Sequence, residues 1–192
     1  GIQVNSAGKR FTNEHEGYSE QAVRVIAQKQ SSAWNIYDHR LHELGLEFEE
    51  YREAIKLGAV KTASTIEELA GILHISKAGL VSTIKECEDF SSGKQKDVLQ
   101  RDFTSKPPLE APYYGIQVTG ALFHTQGGLT VNERAQVLQK HGEPFPNLLA
   151  SGGAATGISG PADWGYLSGN GLLSAVTLGR IAGQTSARLV KH

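Results

Sequence analysis

Methionine is absent from the 192 residues, and cysteine occurs once, as Cys87. A single cysteine excludes an internal disulfide and any paired-cysteine metal site. Cys87 falls at an apolar position of a helical pattern, so a small buried hydrophobe is expected there. An excess of either charge is also lacking: 19 Lys and Arg stand against 20 Asp and Glu, a formal charge of -1. Without a basic surplus or a Lys/Arg run, nucleic acid and anionic membrane have no electrostatic reason to bind. No apolar run reaches the roughly 18 residues of a spanning helix, so membrane insertion is not expected. No signal-peptide pattern opens the chain. A reduced, cytoplasmic compartment fits these absences, and a periplasmic one stays open. The histidines lack metal-ligand spacing, and there is no nucleophile elbow or P-loop, so no metal site is expected. The chain opens inside a strand pattern, Gly1-Ile2-Gln3-Val4-Asn5, with no methionine before it. That abrupt start predicts an excised piece, a proteolytic core or a truncated reading frame.

What is present falls into two parts of different character. Ile2 and Val4 alternate with polar residues, Ala7-Gly8 supplies a turn and Arg10-Phe11 a return, which predicts a hairpin. Ala22, Val23, Ile26 and Ala27 lie at helical spacing with Ser19 as the expected N-cap. Trp34-Asn35-Ile36-Tyr37 predicts a short strand ending at Asp38. Ser64 and Glu67 fit a capping box ahead of Ile66, Leu69, Ala70 and Leu73. Ser76 is the expected cap of a helix striped by Leu80, Ile84 and Cys87, closed at Ser91-Ser92-Gly93-Lys94. From there to Pro112 the chain is polar and Pro-containing, as an exposed connector would be.

Beyond this the glycines multiply. Tyr113 to Val118 predicts a strand, Leu129-Thr130-Val131 another, and Leu148-Leu149-Ala150-Ser151 a third that runs into Gly152-Gly153. A glycine-rich loop spans Thr156 to Gly171 before a final helix running to about Leu189. A strand, two glycines, a glycine-rich loop and a helix start are what a flat heterocycle needs if it is to lie against backbone. The N–H groups near Asn170-Gly171-Leu172, at the positive end of the helix dipole, suit an electron-rich carbonyl. A reduced flavin carries such charge along its N1/O2 edge.

Four segments then resemble the fumarate reductase/succinate dehydrogenase flavoprotein superfamily. They are Gly8-Lys9-Arg10-Phe11-Thr12-Asn13-Glu14, His124-Thr125-Gln126-Gly127-Gly128-Leu129, Pro146-Asn147-Leu148-Leu149-Ala150-Ser151-Gly152, and Leu167-Ser168-Gly169-Asn170-Gly171-Leu172 continued by Leu178-Gly179-Arg180-Ile181-Ala182-Gly183. They occur in the family's order and spacing, most like its soluble single-chain members such as tricarballylate and 3-ketosteroid dehydrogenases. The resemblance implies an α+β fold: a fumarate reductase flavoprotein-like capping domain, residues 1–117, followed by residues 118–192 as the C-terminal remnant of an FAD-binding α/β domain. The family's N-terminal strand and G-x-G-x-x-G turn have no counterpart here. The ADP half of FAD is therefore expected to need a missing N-terminal segment or a partner chain, and this chain alone is not expected to retain the cofactor.

The resemblance also implies roles. Glu14 matches an acidic residue of a proton-delivery route; its alternative is a surface pair with Arg10 or Arg24. Arg40 lies near the family's proton-donating arginine, while His39 and His42 are expected to face solvent. His124, Thr125, Gly127, Gly152, Gly153, Asn170, Gly171 and Leu172 match flavin-contacting positions. There are three departures. Phe123 and Tyr166 stand where fumarate reducers place a carboxylate-gripping His and Arg, and Gly153 stands where a ribityl-holding Glu is frequent. Losing an arginine clamp forfeits about 1.5–3 kcal/mol per charge-assisted hydrogen bond. Tyr166 suits a ketone or a less charged organic acid as the small-molecule substrate. The expected reaction is hydride transfer between FAD and a substrate carbon, with a proton moved at the neighbouring carbon. The alternative is an inert fragment or binding module that kept the cap fold.

Overall fold

The computed structural model describes residues 1–122, 127–160 and 162–190. The chain divides into two compact units, Gly1–Ala121 and Leu122–His192.

The first unit is built on a four-stranded antiparallel sheet of β1 (Ile2–Val4), β2 (Ser32–Asp38), β3 (Val60–Ala63) and β4 (Tyr113–Thr119), in the order β1-β2-β4-β3. Alternation along the strands separates two faces. Ile2, Val4, Trp34, Ile36 and Tyr113 turn to one side, and there α4 (Ile66–Ile72) and α5 (Lys77–Ser91) cover them with Leu69, Leu73, Leu80 and Ile84. Gly115 lies opposite Ile36, and a Cβ on it would come within 2.8 Å of Leu73. The opposite face carries Gln3, Asn35, Tyr37 and Tyr114, with Tyr37 stacked on Tyr114 and Gln3 bonded to Asn35. The remaining helices are α1 (Tyr18–Ile26), α2 (His39–Gly45) and α3 (Glu49–Lys56).

Several sequence expectations shift in detail. The cap of α1 is Gly17, and it makes no side-chain bond, so Ser19 sits inside the helix. The box at α4 is displaced by one residue: Thr65 accepts from the Glu68 N–H, and the Glu68 carboxylate accepts from the Ser64 N–H. Ser76 does cap α5, accepting from the Gly79 N–H, and Cys87 is buried as expected. Helices α2 and α3 and strand β3 had no clear sequence signal: α2 and α3 bury no residue fully, so their apolar stripes are short. The turn after β1 closes through the Val4–Arg10 bridge and rests on α5, where the Thr83 hydroxyl donates to the Gly8 carbonyl at 2.7 Å.

In the second unit, β5 (Gln136–Leu138) pairs with β6 (Pro144–Leu149), followed by α6 (Asn170–Leu189). The stretch expected to be a strand at Leu129–Val131 makes only single bridges, Leu129 with Ala155 and Val131 with Val137. A small core of Val137, Ala150 and Ala155 packs with Val131 and Leu178.

Gly79 and Gly71 predict opposite results. A Cβ on Gly79 would stand 1.9 Å from the Ala7 carbonyl, whereas one on Gly71 meets nothing within 4 Å. Gly79→Ala should cost about 1–3 kcal/mol through overpacking. Gly71→Ala should add about 0.5–1 kcal/mol through helix propensity. Urea denaturation followed by circular dichroism measures both.

Candidate active site

Glu14 follows the turn that leaves β1, and its carboxylate is the hub of a buried charge cluster. Arg10 grips it from two sides, Nε to Oε1 at 2.7 Å and Nη2 to Oε2 at 2.8 Å. Arg101 Nη1 donates to Oε2 at 3.0 Å, and the Gln3 backbone N–H to Oε1 at 3.0 Å. Arg10 Nη2 also reaches Asp97 Oδ2 at 2.8 Å. The side chains of Arg10, Glu14, Asp97 and Arg101 are 5, 11, 1 and 9% exposed. Two cations against two anions, each hydrogen-bonded, offset the cost of burial. Phe103 lies beneath both guanidinium groups, 4.7 Å from Arg10 and 4.3 Å from Arg101. Glu14 thus pairs with Arg10 as one expectation had it, but in the interior; Arg24 faces Glu16 instead.

Burial is the largest influence on Glu14 and would raise its pKa, but the hydrogen bonds and charge of Arg10 outweigh it, so the carboxyl is held below its usual value. Asp97 is held low in the same way, by Arg10 and by backbone N–H groups against its burial.

Arg40 lies in the first turn of α2. Asp38, the helix cap, accepts from its backbone N–H at 3.1 Å and from its Nε at 3.0 Å, and Nη2 also bonds Asp38. The same Nη2 donates to the Pro108 carbonyl at 2.6 Å. Arg40 and Arg101 line one cleft of about 410 Å³, with His15, Asp38, Phe103 and Lys106. Glu14 lines an adjoining groove of about 470 Å³, with Gln21, Asn35, Tyr37 and Tyr51. Glu14 and Arg40 do not bond each other; Arg101 touches the first and lines the same cleft as the second. His39 is exposed as expected, but His42 is not simply solvent-facing. It stacks on Tyr114 at 4.2 Å and bonds the Tyr51 hydroxyl at 2.9 Å, which lies 2.6 Å from the Tyr37 hydroxyl. Burial, then Tyr51, pushes the Tyr37 hydroxyl up.

In the second unit, the Gly152–Ala154 turn sits against α6, where a Cβ on Gly152 would meet Ala175 at 3.4 Å. Gly152 has φ +56, a conformation open to glycine at little cost. Leu129 ties the segment after Gly127 to that turn, donating to the Ala154 carbonyl at 2.9 Å and accepting from the Thr156 N–H at 3.0 Å. A Cβ on Gly127, Gly153 or Gly171 would meet nothing within 4 Å, so this backbone is open to a flat partner. Asn170 is buried and bonds Ser159, while Leu172 is exposed. Helix α6 starts from Gly169 with no side-chain cap and no acidic residue in its first turn. Tyr166 is half-buried just ahead of that start. His124 and Thr125 lie outside the described residues. Among the described residues no cluster of three or more His, Cys, Asp and Glu could hold a metal, and no helix is long and apolar enough to cross a membrane.

This mixed helix-and-sheet architecture is that of the fumarate reductase flavoproteins. The open conformation of a flavocytochrome c3 fumarate reductase matches with a TM-score of 0.72 at 27% identity, over 98% of this chain and 32% of that one. The chain belongs to the FAD binding domain family, which matches residues 1–172. Among curated relatives, a fumarate reductase (cytochrome) of Shewanella frigidimarina is 30% identical over 191 residues, covering 99% of this chain and 32% of the relative. A 4-oxocyclohex-2-ene-1-carboxylate 5-dehydrogenase of Sinomonas cyclohexanicum is 30% identical over 214 residues, 98% of this chain and 36% of the relative. The chain spans about a third of the length of these relatives.

Asp97 and Arg101 had no place in the sequence reading. The stretch around them is polar with no apolar period, and its one signal was the pair of opposite charges four residues apart.

The cluster predicts an acid-sensitive first unit. Carboxyls with lowered folded pKa values contribute stability above their unfolded values, near 4.5 for Glu14 and 3.8 for Asp97, and lose it as pH falls through the folded values. Stability should therefore drop as pH falls below about 4.5. Glu14→Gln should be less stable at neutral pH and show a shallower drop, as read from urea midpoints between pH 7 and 3.

Proposed function

We propose that this chain comprises the substrate-capping part and the returning C-terminal part of an FAD-dependent oxidoreductase that dehydrogenates, or reduces, a carbon–carbon bond next to a carbonyl or carboxylate. The observation that carries the reading is the match over 99% of this chain to about a third of a fumarate reductase, in both units. The open backbone at Gly153 and Gly171 fits the ring half of FAD, since a Cβ at either would occupy that space. Gly127, Gly152, Asn170 and Leu172 would complete that hold, with His124 and Thr125. The ADP half would be held by a further N-terminal segment or a partner chain. The apolar surface of α6, with Leu172, Leu173 and Val176 exposed at 78, 59 and 73%, is suited to packing against such a neighbour.

When bound, FAD supplies the ring that exchanges a hydride with the substrate carbon. The chain's own residues handle binding and the proton. Arg40 presents its guanidinium on the wall of the first unit's cleft, where a carboxylate or carbonyl oxygen can accept from it. Glu14 serves as an anionic station of the proton route, a carboxylate that passes a proton without storing it. The Tyr166 hydroxyl supplies one neutral donor to a carbonyl in place of a charged clamp. A small organic acid bearing a ketone suits that set, and the ring ketone and carboxylate in the name of the Sinomonas relative are of this class. A cytoplasmic location goes with this reading. An inert capping module is the second reading, favoured by Gly153 standing where a glutamate would hold the ribityl chain.

Two outcomes test the proposal. The 192-residue chain mixed with excess FAD should emerge from gel filtration colourless; a retained flavin band overturns the two-segment reading. In the flavin-loaded protein, Tyr166→Phe should cut turnover by about 10²-fold while the flavin band stays. Loss of the band would make Tyr166 structural, and a loaded parent without turnover would favour the inert module.

A further inference from the structure

The polar stretch after α5, expected to be an exposed connector, is folded back as a strap over both proton-route residues of the first unit. Its first hold is Asp97. Asp97 Oδ1 accepts from the Leu99 N–H at 3.1 Å, and Oδ2 accepts from the Arg101 N–H at 3.2 Å and from Arg10. The Gln100 N–H closes the turn on the Asp97 carbonyl at 3.0 Å, with Gln100 itself at φ +63. A glycine would adopt that conformation more readily, so the turn is held in place by the bonds around it. The result aims Arg101 at Glu14. Further along, Phe103 slides under both guanidinium groups, the Pro108 carbonyl accepts from Arg40, and the Glu110 N–H donates to Asp38 at 3.3 Å.

We propose that Arg101 is a positioning residue, held by the strap so that its Nη1 fixes the Glu14 carboxylate against Arg10. The inference rests on the reading of Glu14 as part of the proton route. Its support is geometric. Arg10 bonds both Glu14 oxygens and also Asp97, and Arg101 adds the second cation together with a third side-chain bond to Glu14. Arg101 also buries its Nε with no hydrogen-bond partner, a cost that an apolar side chain stacked on Phe103 would avoid. What an arginine adds at this place is the bond to Oε2, with a second Nη1 bond to the Gly1 carbonyl at 2.8 Å. With Arg101 and Arg40 lining the same cleft, the strap that holds Arg101 against Glu14 also bonds Arg40 through Pro108.

The test is a titration of the Glu14 carboxyl by ¹³C NMR in the 192-residue chain, with the signal assigned through Glu14→Gln. Arg101→Gln leaves one arginine for two carboxylates, and the Glu14 midpoint should rise by about 1 pH unit or more. Arg101→Lys keeps the charge and should restore most of that shift. A folded Arg101→Gln protein with an unmoved midpoint would sink the proposal. If Arg101→Gln does not fold, the parent decides: the Arg101 Nη signals should show hindered rotation that Glu14→Gln releases, and freely averaged signals in the parent overturn the assignment. Neither measurement needs flavin. Unchanged turnover in Glu14→Gln would remove Glu14 from the proton route, while the titration would still judge the contact between Arg101 and Glu14.

Discussion

Four charges buried together hold the first unit's candidate chemistry in place. Arg10, Glu14, Asp97 and Arg101 come from segments far apart in sequence, the β1 return and the strap after α5, and each satisfies another where water cannot. A lone carboxylate at Glu14 would be driven to protonate by its burial, and a lone guanidinium at Arg10 would be expensive to bury. Together they form a neutral set that fixes the relative position of two segments to within hydrogen-bond tolerances. The aromatic floor of Phe103 adds attraction to both cations without competing for their N–H groups. Interactions of this kind specify geometry more than they stabilise, because an apolar cluster of the same volume would pack without the desolvation cost.

The sheet makes that arrangement possible. Strand β1 lies at an edge, so the N–H of Gln3 is not spent on a ladder partner and is available to Glu14 Oε1. The next strand, β2, ends at Asp38, which becomes the cap of α2 and the anchor of Arg40 within two residues. One strand pair therefore places both proton-route candidates at the same margin of the sheet, with the strap crossing it. In the second unit backbone takes over from charge. Its core is small, and it leaves open space at Gly153 and at Gly171, which lies in the first turn of a 20-residue helix.

How far this was legible depended on whether the signal was periodic. The α5 stripe of Leu80, Ile84 and Cys87 follows from burial on one face, and burial leaves a period in the sequence. The short helices α2 and α3 bury no residue completely, so they left almost none. Glu14 stands out through the resemblance of segment 8–14 to the family's motif, with Arg10, four residues away, as the alternative surface partner. Its other partner, Arg101, lies 87 residues downstream in a stretch with the composition of a loop, and no local rule connects them. Charge on a strap looks like solvated charge until the structure shows what it covers. The stretch 94–112 is largely exposed, as its composition suggests, but composition reports average polarity, while the Asp97 and Phe103 side chains are buried by a specific fit.

The electrostatics also limit what Glu14 can be. A general base works best with a pKa near the working pH. Against its burial, the Arg10 guanidinium and backbone N–H groups hold Glu14 below its usual range, so at neutral pH it is a weak base and a strong anchor. A proton reaching it would not rest there, which suits a relay and disqualifies a reservoir. Arg40 is differently situated: 36% exposed, on a cleft wall, bound by Asp38 in its own turn and by one carbonyl of the strap. Its guanidinium stands open to solvent on that wall, whereas the Glu14 carboxylate is largely enclosed by its partners.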